Sequence, residues 1–210
     1  IIFDGDKKIF AKNINGYLQD APNIYIQKRK IPLQKNIPQL VNGSQRIDDD
    51  NFIFTEEEME NFLEKVPSAK KFFHRWIGAE ELINGTKRFC LYLGNCSMEE
   101  IKKFPKIYER VEAVKIFREN SKRKSTNLAA KYPNHFGMET ILKKNFLAIP
   151  IVSSENRKYI PIDFLSPENF CSNQLHLLPD ANLFHFGILT SSVHMAFVKN
   201  FCGRLESRYR

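Results

Sequence analysis

The order in which helix and strand signals follow one another along the 210 residues is the feature that most constrains the fold. Two capping boxes, in which Thr or Ser is followed three residues later by Glu, predict helices that begin after Thr55 and Ser97. Apolar segments at 88–93, 146–152 and 159–165 predict strands, and the last two are expected to pair. Because helices and strands do not alternate strictly, the sequence predicts an α+β fold with mixed and antiparallel strands packed against several helices.

Weaker signals fill the remaining chain. They predict a strand at 23–28, a turn-rich loop at 39–50, a short helix at 68–76, a long helix at 106–121 after Pro105, and a helix at 191–200 capped by Ser191 or Ser192. The long helix carries an apolar stripe of Ile107, Val111 and Val114. A second face of that helix is predicted to carry Lys115, Arg118 and Lys122.

The chain is basic, with a formal net charge of +8 and a pI near 9.3. A positive surface suits phosphate binding, although a solvated basic face gives the same balance. The charge is concentrated at 28–30 (Lys-Arg-Lys) and in a second cluster, Lys115, Arg118, Lys122, Arg123, Lys124 and Lys131. Hydroxyl and amide donors among the cations at 121–127 favour phosphate contact for this second cluster.

Several kinds of chemistry lack their sequence signals here. The cysteines at 90, 96, 171 and 202 have neither Cys-x-x-Cys spacing nor neighbouring His pairs, so we expect reduced thiols and no zinc site. Pro-Pro and Gly-x-Gly, which an adenine methyltransferase would need, do not occur. The acidic run 48–50 is typical of a solvated turn, and His194 has no carboxylate at a suitable offset. We therefore expect no catalytic residue, bound metal or cofactor in this chain.

Membrane and secretion signals are missing from the sequence. It contains no signal peptide and no apolar run near the roughly 18 residues that a membrane span requires. We expect a cytoplasmic location and no membrane partner.

The segment 203–210 (Gly-Arg-Leu-Glu-Ser-Arg-Tyr-Arg) alternates acid and base after an apolar stretch. In an extended segment, Glu206, Arg208 and Arg210 would project from one face. Glu accepts a hydrogen bond from the exocyclic amine of cytosine, and Arg donates to O6 and N7 of guanine, so an adjacent Glu/Arg pair matches one C·G base pair. A surface ion pair of little energetic consequence is the alternative interpretation.

Together with other segments, this C-terminus resembles the target recognition domain of MmeI-like enzymes. The resemblance is carried by 13–18 (Asn-Ile-Asn-Gly-Tyr-Leu), 43–44 (Gly-Ser) followed by 48–49 (Asp-Asp), 76–81 (Trp-Ile-Gly-Ala-Glu-Glu), 88–93, 152–161, 186–197 and 203–210. MmeI-like enzymes are bacterial single-chain restriction–modification proteins that join a nuclease, an adenine methyltransferase and a DNA-reading domain.

The resemblance implies a domain organisation and a set of partners. Residues 1–38 would be a connector from a preceding methyltransferase domain, and 39–210 the DNA target recognition domain. The partners would be double-stranded DNA and the methyltransferase domain of the same polypeptide. The parent protein would use S-adenosylmethionine, with Mg²⁺ for cleavage, and the nuclease would lie at its N-terminal end. A nucleic-acid-binding module without sequence specificity remains the alternative function.

The resemblance also implies roles for individual residues. Glu206 and Arg208 would read the last base pair of the site, with cytosine on the methylated strand. Arg210, Asn173 and Gln174 would read an inner base pair, with a purine as the expected base. The residues predicted to contact the DNA backbone are Ser153, Ser154, Arg157, Lys115, Arg118, Lys122, Arg123, Lys124 and Arg204, although 153–157 is also typical of a tight turn.

Overall fold

The computed structural model describes residues 1–25, 29, 31–32, 34, 37–94 and 96–210. Two compact units are present, Ile1–Ile37 and Pro38–Arg210. The first contains an antiparallel hairpin of β1 (Ile2–Asp4) and β2 (Lys7–Ile9). The strand predicted at 23–28 and the basic cluster at 28–30 lie partly outside the described residues, and 23–25 form no strand.

The second unit contains the remaining elements. Its strands are β3 (Val41–Asn42), β4 (Ile53–Thr55), β5 (Phe73–Ile77), β6 (Arg88–Leu91), β7 (Phe146–Pro150), β8 (Asp163–Leu165), β9 (Asn169–Cys171), β10 (Leu175–Pro179), β11 (Arg204–Leu205) and β12 (Arg208–Tyr209). Its α-helices are α1 (Glu56–Lys65), α2 (Ala79–Asn84), α3 (Met98–Lys102), α4 (Pro105–Glu119), α5 (Lys124–Ala129), α6 (Leu183–Leu189) and α7 (Ser192–Phe201). A 3₁₀ helix spans Pro67–Phe72.

Two four-stranded sheets organise the described part of this unit, with strand orders β4-β6-β5-β9 and β3-β10-β7-β8. The first sheet is mixed, because β5 runs antiparallel to β6 and parallel to β9. The second is antiparallel, and it includes the predicted pairing of 146–152 with 159–165, observed between β7 and β8. The predicted α+β class with mixed and antiparallel strands is therefore confirmed.

The larger hydrophobic core lies between the first sheet and the helices α1, α3 and α4. Phe52, Phe54 and Leu91 are fully or almost fully buried there, together with the Ile107 and Val111 side chains of α4. Burial of each such side chain contributes about 1.5–3 kcal/mol. Separate clusters around the second sheet and beneath α7 complete the core.

The predicted helix caps are confirmed. Thr55 Oγ1 accepts from the Glu58 N–H at 3.2 Å, and the Glu58 carboxylate accepts from the Thr55 N–H at 2.8 Å. The same capping box forms at the start of α3, and Ser191 caps α7. These caps satisfy N–H groups that the first helical turn leaves unpaired.

The predicted helix at 68–76 is wrong. The 3₁₀ helix ends at Phe72, and the chain then enters β5, where Trp76 and Ile77 are buried. Pairing with β6 and β9 on both sides satisfies the backbone of β5, and its aromatic and β-branched residues suit a central strand. The predicted loop at 39–50 also contains a strand, β3.

The cysteine side chains are free thiols throughout the described residues. Cys90 and Cys171 are buried, and burial raises the pKa of Cys171 to about 12. Cys202 is half-buried. In the part of the chain that the structure describes, no helix combines the length and apolar character needed to cross a bilayer.

Candidate nucleic-acid interface

A groove of about 640 Å³ brings together segments that are far apart in the sequence. Its walls come from the start of α2, the loop after β7, the turn between β9 and β10, and the C-terminal hairpin β11–β12. The lining residues are Ala79, Glu80, Ile151, Val152, Ser154, Arg157, Asn173, Gln174, Arg208 and Arg210. The groove therefore collects Ser154, Arg157, Asn173, Gln174, Arg208 and Arg210 from the predicted DNA contacts.

The C-terminal hairpin presents Glu206 and Arg208 as a direct pair. One guanidinium nitrogen of Arg208 donates to the Glu206 carboxylate at 2.9 Å, and both side chains are largely exposed. The extended conformation predicted through 206 is wrong, since Glu206 has φ of 57° and forms the turn between β11 and β12. A hairpin turn needs such a conformation to reverse the chain, and it brings the two side chains together.

Tyr209 anchors this hairpin. Its ring is buried against Met195 and Val198 of α7. Its backbone exchanges two hydrogen bonds with Ser153, Tyr209 N–H donating to Ser153 O at 2.9 Å and Ser153 N–H donating to Tyr209 O at 3.1 Å. The loop after β7 and the hairpin are thereby joined through their backbones.

Ser153 is accordingly a structural residue. Its side chain is buried, and its Oγ has no hydrogen-bond partner in the described part of the chain. The predicted phosphate contact of Ser153 is wrong, because the pairing with Tyr209 turns this residue inward. Its neighbours Ser154 and Arg157 remain partly exposed in the groove.

Arg204 braces the hairpin from its outer side. Its guanidinium lies 4.1 Å from the centroid of the Tyr209 ring and donates to Lys199 O at 3.1 Å and Ser207 O at 3.3 Å. Arg204 is exposed, so its predicted phosphate contact remains a prediction beside this bracing role.

The turn at 172–174 is held by its backbone, while the side chains of Asn173 and Gln174 stay exposed. Ser172 N–H donates to Ile77 O at 2.8 Å, and Asn173 N–H donates to Ser44 O at 2.8 Å. Asn173 and Gln174 are both exposed. A Cβ added to Gly43 would lie 2.1 Å from Ser172 O, so only glycine permits this close approach.

A buried carboxylate fixes the start of α2. Glu81 accepts from the Gly78 N–H at 2.7 Å and from Arg88 Nε at 2.6 Å. Burial opposes ionisation of Glu81, but the Arg88 hydrogen bond and the backbone N–H donors outweigh it and hold its pKa below the ordinary value. The ionised Glu81 therefore fixes the turn that delivers Ala79 and Glu80 to the groove.

The prediction that Arg118 contacts phosphate is wrong. Arg118 is 1% exposed, and its guanidinium donates to backbone carbonyl oxygens of Arg46, Ile47, Ala129, Tyr132 and His135 at 2.7–3.1 Å. It continues the buried stripe of Ile107, Val111 and Val114 at helical spacing. This helical spacing was the sequence signal that could have identified Arg118 as a buried residue. The prediction missed it because Arg118 was grouped with the neighbouring basic residues.

The other members of the basic cluster lie outside the groove lining. Lys122 and Arg123 are exposed between α4 and α5, and Lys124 is exposed at the first position of α5. Lys115 lines a separate cavity of about 490 Å³ with Lys131, Glu112 and Glu119, so carboxylates offset its charge. The structure thus leaves 122–124 as the exposed basic segment of this cluster.

Two groups considered for catalysis have structural partners. His194 Nδ1 lies 2.7 Å from Leu189 O, at the start of α7. Asp48, expected in a solvated turn, is buried and accepts from Arg46 and from the Phe52 N–H, whereas Asp49 and Asp50 are exposed. No cluster of three or more His, Cys, Asp or Glu side chains suited to a metal occurs among the described residues.

Comparison with known proteins identifies the class to which this fold and groove belong. The family model described as "MmeI, target recognition domain" matches residues 20–210. DNA methyltransferase A of Bacillus subtilis (strain 168) is 37% identical over 210 residues, which are 100% of this chain and 24% of that protein. A solved structure of the type IIL restriction–modification enzyme MmeI in complex with DNA is 40% identical with a TM-score of 0.87, over 95% of this chain and 27% of that chain.

The class is therefore that of target recognition domains. Within it, the chain belongs to the MmeI target recognition domain family. It spans about a quarter of the length of these two relatives.

Proposed function

We propose that this chain is the sequence-reading domain of a DNA adenine-N6 methyltransferase of the type II restriction–modification class. The observation that carries the proposal is the groove, in which Arg157, Asn173, Gln174, Arg208 and Arg210 meet from separate segments. Guanidinium and amide groups form the side-chain hydrogen bonds that distinguish base edges in the major groove. The family membership and the likeness to a DNA-bound relative support the same function.

The last base pair would be read by Glu206 and Arg208. Their side chains are exposed and 2.9 Å apart, so each can exchange the ion pair for a hydrogen bond to a base. Glu206 accepts from the amine of cytosine, and Arg208 donates to guanine. This supports a C·G pair with cytosine on the methylated strand.

An inner base pair would be read by the 172–174 turn together with Arg210. Asn173 and Gln174 project from a turn whose backbone is fixed, and Arg210 follows the Tyr209 anchor. An amide side chain brackets N6 and N7 of adenine, and Arg selects guanine, so this set supports a purine. The exposed segment 122–124 and the side chains of Ser154, Arg157 and Arg204 would contact phosphates, and Lys115 stays a weaker candidate for such a contact.

The catalytic functions would belong to other parts of a longer polypeptide. The parent would transfer a methyl group from S-adenosylmethionine and cleave DNA with Mg²⁺. The present chain would bind the DNA and position the enzyme on its recognition site. Residues 1–38 would connect this domain to the methyltransferase domain. A nucleic-acid-binding module without sequence preference is the second candidate function, which the net charge of +8 alone would support.

The test is the methylation pattern that the full-length parent leaves on plasmid DNA, compared with that of a Glu206→Lys/Arg208→Asp double variant. We expect the last base to change from C to G, because Lys donates to guanine and Asp accepts from the amine of the paired cytosine. A matched Glu109→Lys/Lys106→Asp variant on α4 should leave the motif unchanged. An unchanged motif in the double variant would refute the assignment of these readers, and sequence-independent binding by the parent would favour the second function.

A further inference from the structure

One carboxylate in the groove has no role in the function proposed above. Glu80 lines the same cavity as Arg157, Arg208 and Arg210, and it comes from the first turn of α2. It is exposed, and within the described part of the chain it forms no direct ion pair or hydrogen bond. Its charge acts on Arg88, whose pKa is raised by the Glu81 hydrogen bond and also by the charge of Glu80. Because Arg88 is already hydrogen-bonded to Glu81, the Glu80 carboxylate keeps its acceptor atoms available in a groove that otherwise favours a polyanion.

Repulsion by phosphate makes a carboxylate unfavourable along the DNA backbone, where basic and neutral donors make the contacts. At base edges the balance reverses, because cytosine N4 and adenine N6 are hydrogen-bond donors and a carboxylate accepts from them. Guanine and thymine present oxygen acceptors at the corresponding position and would be rejected. The chemistry of Glu80 therefore fits a base edge and opposes a phosphate.

The backbone that carries Glu80 is also held firmly. The neighbouring Glu81 is buried and bound to the Gly78 N–H and Arg88. A Cβ added to Gly78 would lie 3.2 Å from Gln174 Oε1, so the start of α2 packs directly against the turn that carries the inner readers. Base readout is favoured by such a fixed backbone, because it places the reading side chain at a defined position.

We propose that Glu80 is a further specificity residue, which accepts a hydrogen bond from the exocyclic amine of a cytosine or adenine at a position other than the last base pair. This proposal rests on the proposed function. It adds a reader on α2 to those on the hairpin and on the 172–174 turn.

A purely local explanation exists, and the chain supplies its control. Glu57 occupies the second helical position of α1, between Glu56 and a capping-box Glu58, just as Glu80 precedes the capping Glu81 in α2. Both are exposed first-turn carboxylates that a helix dipole favours. A dipole role predicts the same behaviour for both residues, whereas base readout predicts an effect on the motif for Glu80 alone.

The experiment compares Glu80→Gln, Glu80→Lys and Glu57→Lys in the full-length parent, with methylation motifs determined by sequencing. We expect Glu80→Lys to shift one position from C or A toward G and to lower methylation of the original site about 5- to 150-fold. Glu80→Gln should retain the base if it is adenine and lose it if it is cytosine, because Gln brackets adenine. Glu57→Lys should leave the motif unchanged.

The Glu206→Lys/Arg208→Asp variant separates failure of this proposal from failure of the proposed function. If that variant changes the last base while both Glu80 variants leave every position and the rate unchanged, Glu80 is not a reader. A uniform loss over all sequences in both Glu80→Lys and Glu57→Lys would overturn the proposal equally. If neither the Glu206→Lys/Arg208→Asp variant nor the Glu80 variants alter the motif, the assignment of Glu206 and Arg208 as readers fails, and this inference fails with it.

Discussion

The buried cation Arg118 offers the sharpest test of the structure, through an Arg118→Met substitution. Met fills a similar volume, so the change removes the donors without opening a large cavity. The carbonyls of Arg46, Ala129 and Tyr132 keep a second backbone donor, from Gly137, Tyr132 and His135 respectively. In the described residues, the carbonyls of Ile47 and His135 have Arg118 as their hydrogen-bond partner and would lose it.

The magnitude follows from these two carbonyls. Each buried acceptor left without a donor costs about 1–3 kcal/mol. Together they imply a loss of about 2–5 kcal/mol in the free energy of unfolding, after some relief from no longer burying a guanidinium. A domain with a total stability of about 5–15 kcal/mol would show this clearly.

Urea unfolding of the 210-residue chain measures the effect as a lower midpoint at unchanged slope. Lys122→Met is the matched control, since Lys122 is exposed and its replacement should change stability by less than about 0.5 kcal/mol. A loss below about 1 kcal/mol for Arg118→Met would refute the reasoning, because it would mean that water replaces the guanidinium at little cost.

Three further outcomes are expected. Lys122→Ala should weaken binding of the parent to all DNA sequences alike. A salt titration should show the slope of log binding constant against log salt concentration reduced by about 1. An unchanged slope would mean that Lys122 does not contact phosphate. Gly43→Ala should lower the free energy of unfolding, measured in urea, by about 1–3 kcal/mol, because the added Cβ would lie 2.1 Å from Ser172 O. Gly16→Ala is the control, since a Cβ at Gly16 would point into open space. Equal effects of the two substitutions would contradict the close approach of Gly43 to Ser172. Because the pKa of Glu81 is lowered, its contribution to stability is present above its ordinary pKa of 4.5 and is lost as the pH falls through the lowered value. An acid titration of stability should lack this loss in Glu81→Gln. Identical pH profiles for the variant and the unchanged chain would contradict the stabilising role of ionised Glu81.

Features encoded over a few residues could be predicted from the sequence. The capping boxes at Thr55 and Ser97 and the cap at Ser191 lie within three residues of their partners, so the amino acids that form them are visible together. The strand β5 was missed because its stability comes from β6 and β9, and β9 lies more than 90 residues further along the chain. Tertiary pairing of this kind overrides local propensity.

The types of residue that line the groove could be predicted from the sequence, but the way in which distant segments come together to form it could not. The Glu/Arg alternation at 206–210 and the amides at 173–174 indicated base-edge chemistry, and the resemblance gave them roles. The inward turn of Ser153 depends on pairing with Tyr209, and the place of Glu80 depends on the packing of Gly78 against Gln174. These contacts join distant segments, and no local pattern of residues encodes them.

The way the groove is built has a consequence for how specificity can change. Its segments are tied through the backbone, by Ser153 to Tyr209 and by Ile151 to Gln174, while the side chains of Glu206, Arg208 and Gln174 remain exposed. Exchanging exposed side chains costs little stability, usually within about 0.5 kcal/mol, because no buried contact is lost. The residues proposed to contact bases can therefore be replaced in matched pairs without disturbing this backbone framework. A change at the buried Tyr209 would instead disturb both the hairpin and the loop after β7.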